Sequence, residues 1–257
     1  MTFHFVSFHG LKNTRWSHIY TLCLKSCKKR AGADKIIVHY DQADDNLAWY
    51  EARDISDIEW RQVSPPTLIG DKIIELPEVS IDLYRLRVLE EEGGFVSNLD
   101  FLFLRNFEKL RHAEAVIGIQ CKQKKKLCNN LIGAVSGAEF IKEFRHQYEE
   151  CIRTGPMNRL LKYSSSLAWD LSMMYNVVIL DRKVLYPVAW SNKNFWSGSV
   201  PNIKHSFAVH LWESYYPDLT LETLKKSGLY SEVVRITNDS TDQVPSVTRR
   251  SGILTFE

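Results

Sequence analysis

At 257 residues, 44% hydrophobic and 12% aromatic, the chain can bury a large core and fits one α/β domain over 1–257. Its 33 basic and 31 acidic residues are interleaved and leave a net charge of +2, which gives no push toward nucleic acid. No apolar run approaches the roughly 18 residues of a membrane span, and the first residues, MTFHFVSFHG, have no basic leader ahead of an apolar core. The expectation is a cytoplasmic protein with no transmembrane segment. Five cysteines (Cys23, Cys27, Cys121, Cys128, Cys151) are odd in number and lack zinc-type close pairs, so they read as free thiols.

Along the chain, strand-like runs alternate with helix-like ones. FHFVSF (3–8) predicts a strand, 16–30 a helix, KIIVHYD (35–41) a strand, and DIEWRQV (57–63) lies in a polar stretch. After the Ser64–Pro66 break, 81–92 reads as a helix closed by Gly93 and Gly94, and FVSN (95–98) follows at once as a strand. AVIGIQ (115–120) predicts a strand, 136–153 a helix begun by Ser136, and NVVILD (176–181) another strand. From YPVAW (186–190) to HLWESYY (210–216) the chain is aromatic-rich and loop-like. This alternation predicts a mostly parallel central sheet flanked by helices, with no repeat and no dividing linker.

Two features break the apolar pattern. In IDLYRLRVLEEEGG apolar residues occupy nearly every side of the helix, yet Asp82 and Arg85 stand one turn apart, as an internal ion pair or as two groups reaching a polar ligand. In GGFVSNLDFLFL, Asp100 sits between apolar runs. A carboxylate there lies at a strand end or has a partner, because an ionised one does not stay in a dry core alone.

The string DLYRLRVLEEEGGFVSNLDFLFL resembles the signature of the DXD-type glycosyltransferases of the capsular-polysaccharide, α-1,4-galactosyltransferase and yeast mannosyltransferase group, which the large clostridial glucosylating toxins share. In that pattern D-x-x-R, a leucine, G-G, a short strand and D-x-D follow in order. VSFHG (6–10), NNLIGAVSG (129–137), TGP (154–156) and FAVHLWESYY (207–216) are similar to further family segments. The resemblance thus covers roughly 3–216.

The resemblance implies a glycosyltransferase A-type Rossmann-like fold and a metal-dependent, retaining transfer from a nucleotide sugar, UDP-linked, to a glycan or other hydroxyl acceptor. It implies Asp100, with Asn98 and His210, as ligands of Mn²⁺ or Mg²⁺. Asp82 and Arg85 would hold the donor sugar, Phe8 and Tyr40 the nucleoside, and Gly94 and Trp212 would complete the donor site. The chain departs from the pattern at Asn98, where the family has an aspartate, and at Val96, where a tyrosine is common. The first departure keeps open a donor- or glycan-binding module without turnover. His210 also reads as a hydrogen-bonded core histidine, and Trp212 as a packing residue on the same side of an extended segment. KQKKK (122–126) reads as a solvated loop.

Overall fold

In the computed structural model, residues 1–189, 191, 202–216, 219–227, 229, 247–250 and 253–256 are described; Trp190 of the aromatic stretch lies outside them. The elements are β1 (Thr2–Ser7), α1 (His9–Lys12), α2 (His18–Arg30), β2 (Lys35–Tyr40), α3 (Leu47–Arg53), β3 (Ile58–Gln62), β4 (Leu68–Ile69), β5 (Lys72–Ile73), α4 (Pro77–Glu92), β6 (Gly94–Ser97) and β7 (Phe101–Phe103). After these come β8 (Ala115–Cys121), β9 (Lys126–Ala134), α5 (Glu139–Thr154), α6 (Met157–Ser172), β10 (Val177–Leu180), α7 (Arg182–Leu185), β11 (Ala208–His210), α8 (Leu221–Lys226), β12 (Val247–Arg250) and β13 (Ile253–Phe256).

The main sheet has the order β12-β13-β10-β8-β9-β6-β1-β2-β3. Its pairings are parallel except those of β9 and β12, so the expected mostly parallel sheet is present. Alternation along β1 explains the layers. Phe3 and Phe5 pack with α2 and α3, through Cys23, Leu24 and Trp49. Val6 and Phe8 pack with α4, α5 and α6, through Val79, Leu83, Phe144 and Leu167. Both faces are covered, which is why these strands read as continuous apolar runs.

Strand order reverses at β1, which has β2 on one side and β6 on the other. At such a switch point the loops leave in opposite directions and open a crevice at the carboxyl ends of the strands. The residues after β1 begin at Phe8 and those after β6 at Asn98. A separate two-stranded sheet pairs β7 antiparallel with β11, setting His210 opposite Phe101.

Several boundaries differ from the sequence expectation. Helix α4 starts at Pro77, not residue 81, because proline is pre-organised for the first turn. Helix α5 starts at Glu139. Ser136 precedes it, and its hydroxyl instead donates to the carbonyls of Glu90 and Glu91. Helix α6 was not expected at all. All five cysteines are free, and among the described residues no helix is long and apolar enough to cross a membrane.

The α4-to-β6 corner depends on its glycines. Gly93 (φ 70°) and Gly94 (φ 91°) lie in the left-handed region, and a Cβ on Gly94 would stand 2.5 Å from the Thr2 carbonyl oxygen. Gly94→Ala is therefore expected to cost on the order of 1–3 kcal/mol. Urea unfolding should show a lowered midpoint with an unchanged slope; an unchanged midpoint would contradict the close approach of β6 to β1.

Candidate functional site

At the switch point lies a cavity of ≈ 290 Å³. Phe8, Asp82, Arg85, Asn98, Asp100, His210 and Trp212 all line it, although they come from segments far apart in sequence. Phe8 directly follows β1, with its ring edge-on to Tyr84 at 5.3 Å. The backbone N–H of Asn98 donates to the Asn130 carbonyl at 2.8 Å, which fixes the turn that carries Asn98 and Asp100 out of the main sheet.

Asp100 is 8% exposed and has a partner. His210 Nε2 stands 3.0 Å from both of its oxygens, and the Glu213 backbone N–H donates to Oδ2 at 3.2 Å. Burial pushes the Asp100 carboxyl up. The charge and hydrogen bond of His210 and the Glu213 N–H outweigh it and hold the group below its ordinary value. The His210 ring is stacked on Phe101 at 4.5 Å and lies 4.1 Å from Trp212, and its Nδ1 is buried without a partner. His210 is thus hydrogen-bonded as a core histidine would be, and also faces the cavity.

Trp212 is not extended, as the same-side argument required. It adopts a left-handed conformation (φ 57°) that starts a 3-10 turn, and its Nε1 donates to the Val188 carbonyl at 3.0 Å. A non-glycine residue held there stores strain, a recurrent feature of functional sites.

Asp82 and Arg85 form the internal ion pair, and the pair lies at the wall of the cavity. Arg85 Nη1 lies 3.4 Å from Asp82 Oδ1, and both side chains line the cavity. Arg85 also donates to the Asn129 carbonyl, Tyr148 OH donates to Asp82 Oδ2 at 3.4 Å, and Arg85 Nε has no partner. Burial raises the Asp82 pKa against the pull of Arg85 and lowers that of Arg85 against the pull of Asp82.

Two expected residues lie elsewhere. The Tyr40 ring packs on the opposite face of the sheet, 5.3 Å from Trp49 and 6.2 Å from Trp60, because alternation along β2 turns it toward α3. Gly94 is at the amino end of β6, away from the crevice, and its role is backbone approach. The expectation also missed residues that line the cavity: Tyr20, Gln120, Ser164 and Glu213. Burial and then the charge of Asp100 raise the Glu213 pKa, while Tyr20 OH donates to Glu213 at 3.4 Å.

The residues that line the cavity include donors of the kinds a divalent cation takes: the Asp100 carboxylate, the Asn98 amide and the His210 imidazole, whose Nε2 is on the Asp100 side.

No family model matches the chain, and no curated protein matches it. Among solved structures it is similar to the galactosyltransferase LgtC in complex with donor and acceptor sugar analogs, with a TM-score of 0.51 and 12% identity, over 95% of this chain and 98% of that one. It is also similar to the glycosyltransferase GlyE in Streptococcus pneumoniae TIGR4, with a TM-score of 0.52 and 10% identity, over 94% of this chain and 61% of that one. The chain shares their fold, the glycosyltransferase A-type Rossmann-like fold.

Because the folded state lowers the Asp100 pKa, the ionised carboxylate stabilises the fold above the ordinary value of 3.8, and this contribution is lost as pH falls through the lowered value. Asp100→Asn removes it. The stability gap between wild type and variant should be constant near neutral pH and close below about pH 4. Denaturant unfolding at a series of pH values checks this, and a gap that does not change with pH would show that His210 does not favour the charged form.

Proposed function

We propose that the chain, as one domain over 1–257, is a metal-dependent retaining glycosyltransferase that moves a sugar from a UDP-linked donor to a hydroxyl of a glycan. The observation that carries this reading is the convergence of the buried Asp100–His210 contact and the Asp82–Arg85 pair on one cavity at the switch point. An apolar core has no use for four ionisable groups around a hollow, whereas a donor with a diphosphate and a sugar meets each of them. Free thiols and the interleaved surface charge fit a cytoplasmic enzyme.

In this reading Phe8 packs against the nucleoside at the end of β1, and Asn98 meets the ribose. Asp82 accepts from a sugar hydroxyl and Arg85 donates to one, so the pair fixes the anomeric carbon relative to the acceptor. Trp212 covers the donor and keeps water off the reacting bond. Asp100, with Asn98 and His210, would hold Mn²⁺ or Mg²⁺, which would neutralise charge on the departing diphosphate. The acceptor's proton passes to the leaving phosphate, so no protein base is assigned.

A second reading rests on Asn98, a neutral amide where the resembled pattern has a carboxylate: a nucleotide-sugar or glycan-binding module without turnover. Both readings require donor binding, and metal-stimulated release of UDP separates them.

Asp100→Asn should abolish UDP release while the far-ultraviolet spectrum stays that of the wild type; full activity in the folded variant would overturn the cation assignment. Arg85→Ala leaves Asp82 buried without its cation and should cost about 3–5 kcal/mol of stability, so catalysis is compared per folded molecule, with Arg85→Lys as the charge-keeping control. On that basis kcat/KM should fall about tenfold or more, since positioning of the reacting carbon is lost. Calorimetry should show free UDP binding unchanged and intact donor weakened; equal losses for both would refute the sugar clamp.

A further inference from the structure

Outside the cavity, a ring nitrogen of His4, a ring nitrogen of His39 and a carboxylate oxygen of Glu92 lie within 4.8 Å of one another. His4 and His39 belong to the neighbouring strands β1 and β2, and Glu92 is the last residue of α4. None of the three lines the cavity described above.

His4 and His39 are in hydrogen-bond contact through ring nitrogens with the Glu92 carboxylate nearby, close enough together for the three to share one ion. His4 Nδ1 and His39 Nε2 are 3.1 Å apart, close to the edge of about 3.3 Å that two nitrogens make when each lies about 2.0–2.1 Å from a tetrahedral zinc. The Tyr84 hydroxyl lies 2.9 Å from His39 Nδ1 and so holds that ring with Nε2 toward His4. A metal-binding histidine is characteristically oriented in this way through its other nitrogen. As a phenol, Tyr84 can donate to that nitrogen or accept from it, so it serves the ring with or without an ion. His4 is fully buried, and its Nε2 has no hydrogen-bond partner.

The charges around the cluster are compatible with a cation. Arg61 Nη1 donates to Glu92 Oε1 at 2.6 Å, which occupies one of the two carboxylate oxygens. Arg61 is also paired with Glu59, which in turn meets Lys35 at 2.6 Å, so these four groups sum to no net charge. Glu92 is exposed and gives an ion a path in from solvent.

We propose that His4, His39 and Glu92 bind one divalent transition-metal ion, zinc by chemistry, in a site separate from the cavity. Two imidazoles and a carboxylate suit zinc, whereas the oxygen-rich set at Asp100 and Asn98 suits manganese or magnesium. Three protein ligands leave the fourth position to water. The ion ties β1 to β2 and both to the end of α4. This inference does not rest on the glycosyltransferase reading.

The test uses chelator-stripped full chain in four forms: wild type, Asp100→Asn, Glu92→Gln and His39→Gln. Each is titrated with Co²⁺, read by its visible ligand-field absorption, and then with Zn²⁺ to displace it. Wild type and Asp100→Asn should each show one equivalent with a tetrahedral-type band that Zn²⁺ removes. Glu92→Gln should bind tenfold or more weakly, and His39→Gln should show no band. At a hundredfold excess over its Kd, Zn²⁺ should raise the wild-type melting temperature by about 5–10 °C. No band in the wild type overturns the proposal, as does equal affinity in Glu92→Gln, and a band lost in Asp100→Asn but kept in Glu92→Gln would assign the ion to the cavity instead. If His39→Gln does not fold, the exposed Glu92→Gln variant decides the question alone.

Discussion

The cleft depends on one contact, the carboxylate of Asp100 against the imidazole of His210, 110 residues later in the chain. An unpaired anion with 8% exposure would carry a desolvation cost of several kcal/mol. The cost is offset only when β11 docks antiparallel on β7 and sets His210 opposite Phe101. The same docking brings the Glu213 N–H to the other carboxylate oxygen and lays Trp212 beside the imidazole. One electrostatic requirement in the middle of the chain therefore fixes where a distant segment closes the cavity.

The Asp82–Arg85 pair shows that an internal ion pair can also line a cavity in this fold. At 3.4 Å the contact is longer than a strong charged hydrogen bond. Each member spends part of its bonding on others: Arg85 on the Asn129 carbonyl, Asp82 on Tyr148. Burial pushes both toward their neutral forms, so each gains from any further partner that enters the cavity. In the proposed reading, a pair strained by burial yet lining a hollow would serve sugar hydroxyls, which donate to one member and accept from the other.

The sheet was legible in the sequence because its strands are buried on both faces and read as apolar runs; FHFVSF, KIIVHYD, AVIGIQ and NVVILD all lie within a residue or two of observed strands. The buried carboxylate was legible as an exception to that pattern. Side-chain direction at strand ends was not. Tyr40 sits at the right end of β2, but alternation sends it to the face that carries Trp49. Trp212 escaped for a different reason: a left-handed tryptophan is costly, and only its tertiary setting, with Nε1 on the Val188 carbonyl, keeps it there. Helix α6 was hidden by Ser164–Ser166, poor helix formers on their own, two of which face the cavity. Glu213 had no signal of its own, since its role follows from the turn that Trp212 starts.

Helix α4 joins the two clusters of ionisable groups. Asp82 and Arg85 lie near its middle, Tyr84 faces His39 between them in sequence, and Glu92 is its last residue. Ten residues separate Asp82 from Glu92, about 15 Å along the axis at the usual helical rise. A doubly charged ion at that range acts on Asp82 and Arg85 with opposite signs, and at an effective dielectric constant of about 20 the two effects, each on the order of 2 kcal/mol, largely cancel across the pair. What remains is mechanical. An ion bound by His4, His39 and Glu92 would fix the far end of α4 to the strand that leads into Phe8, and so would bear on the cavity through the position of the helix rather than through its charge.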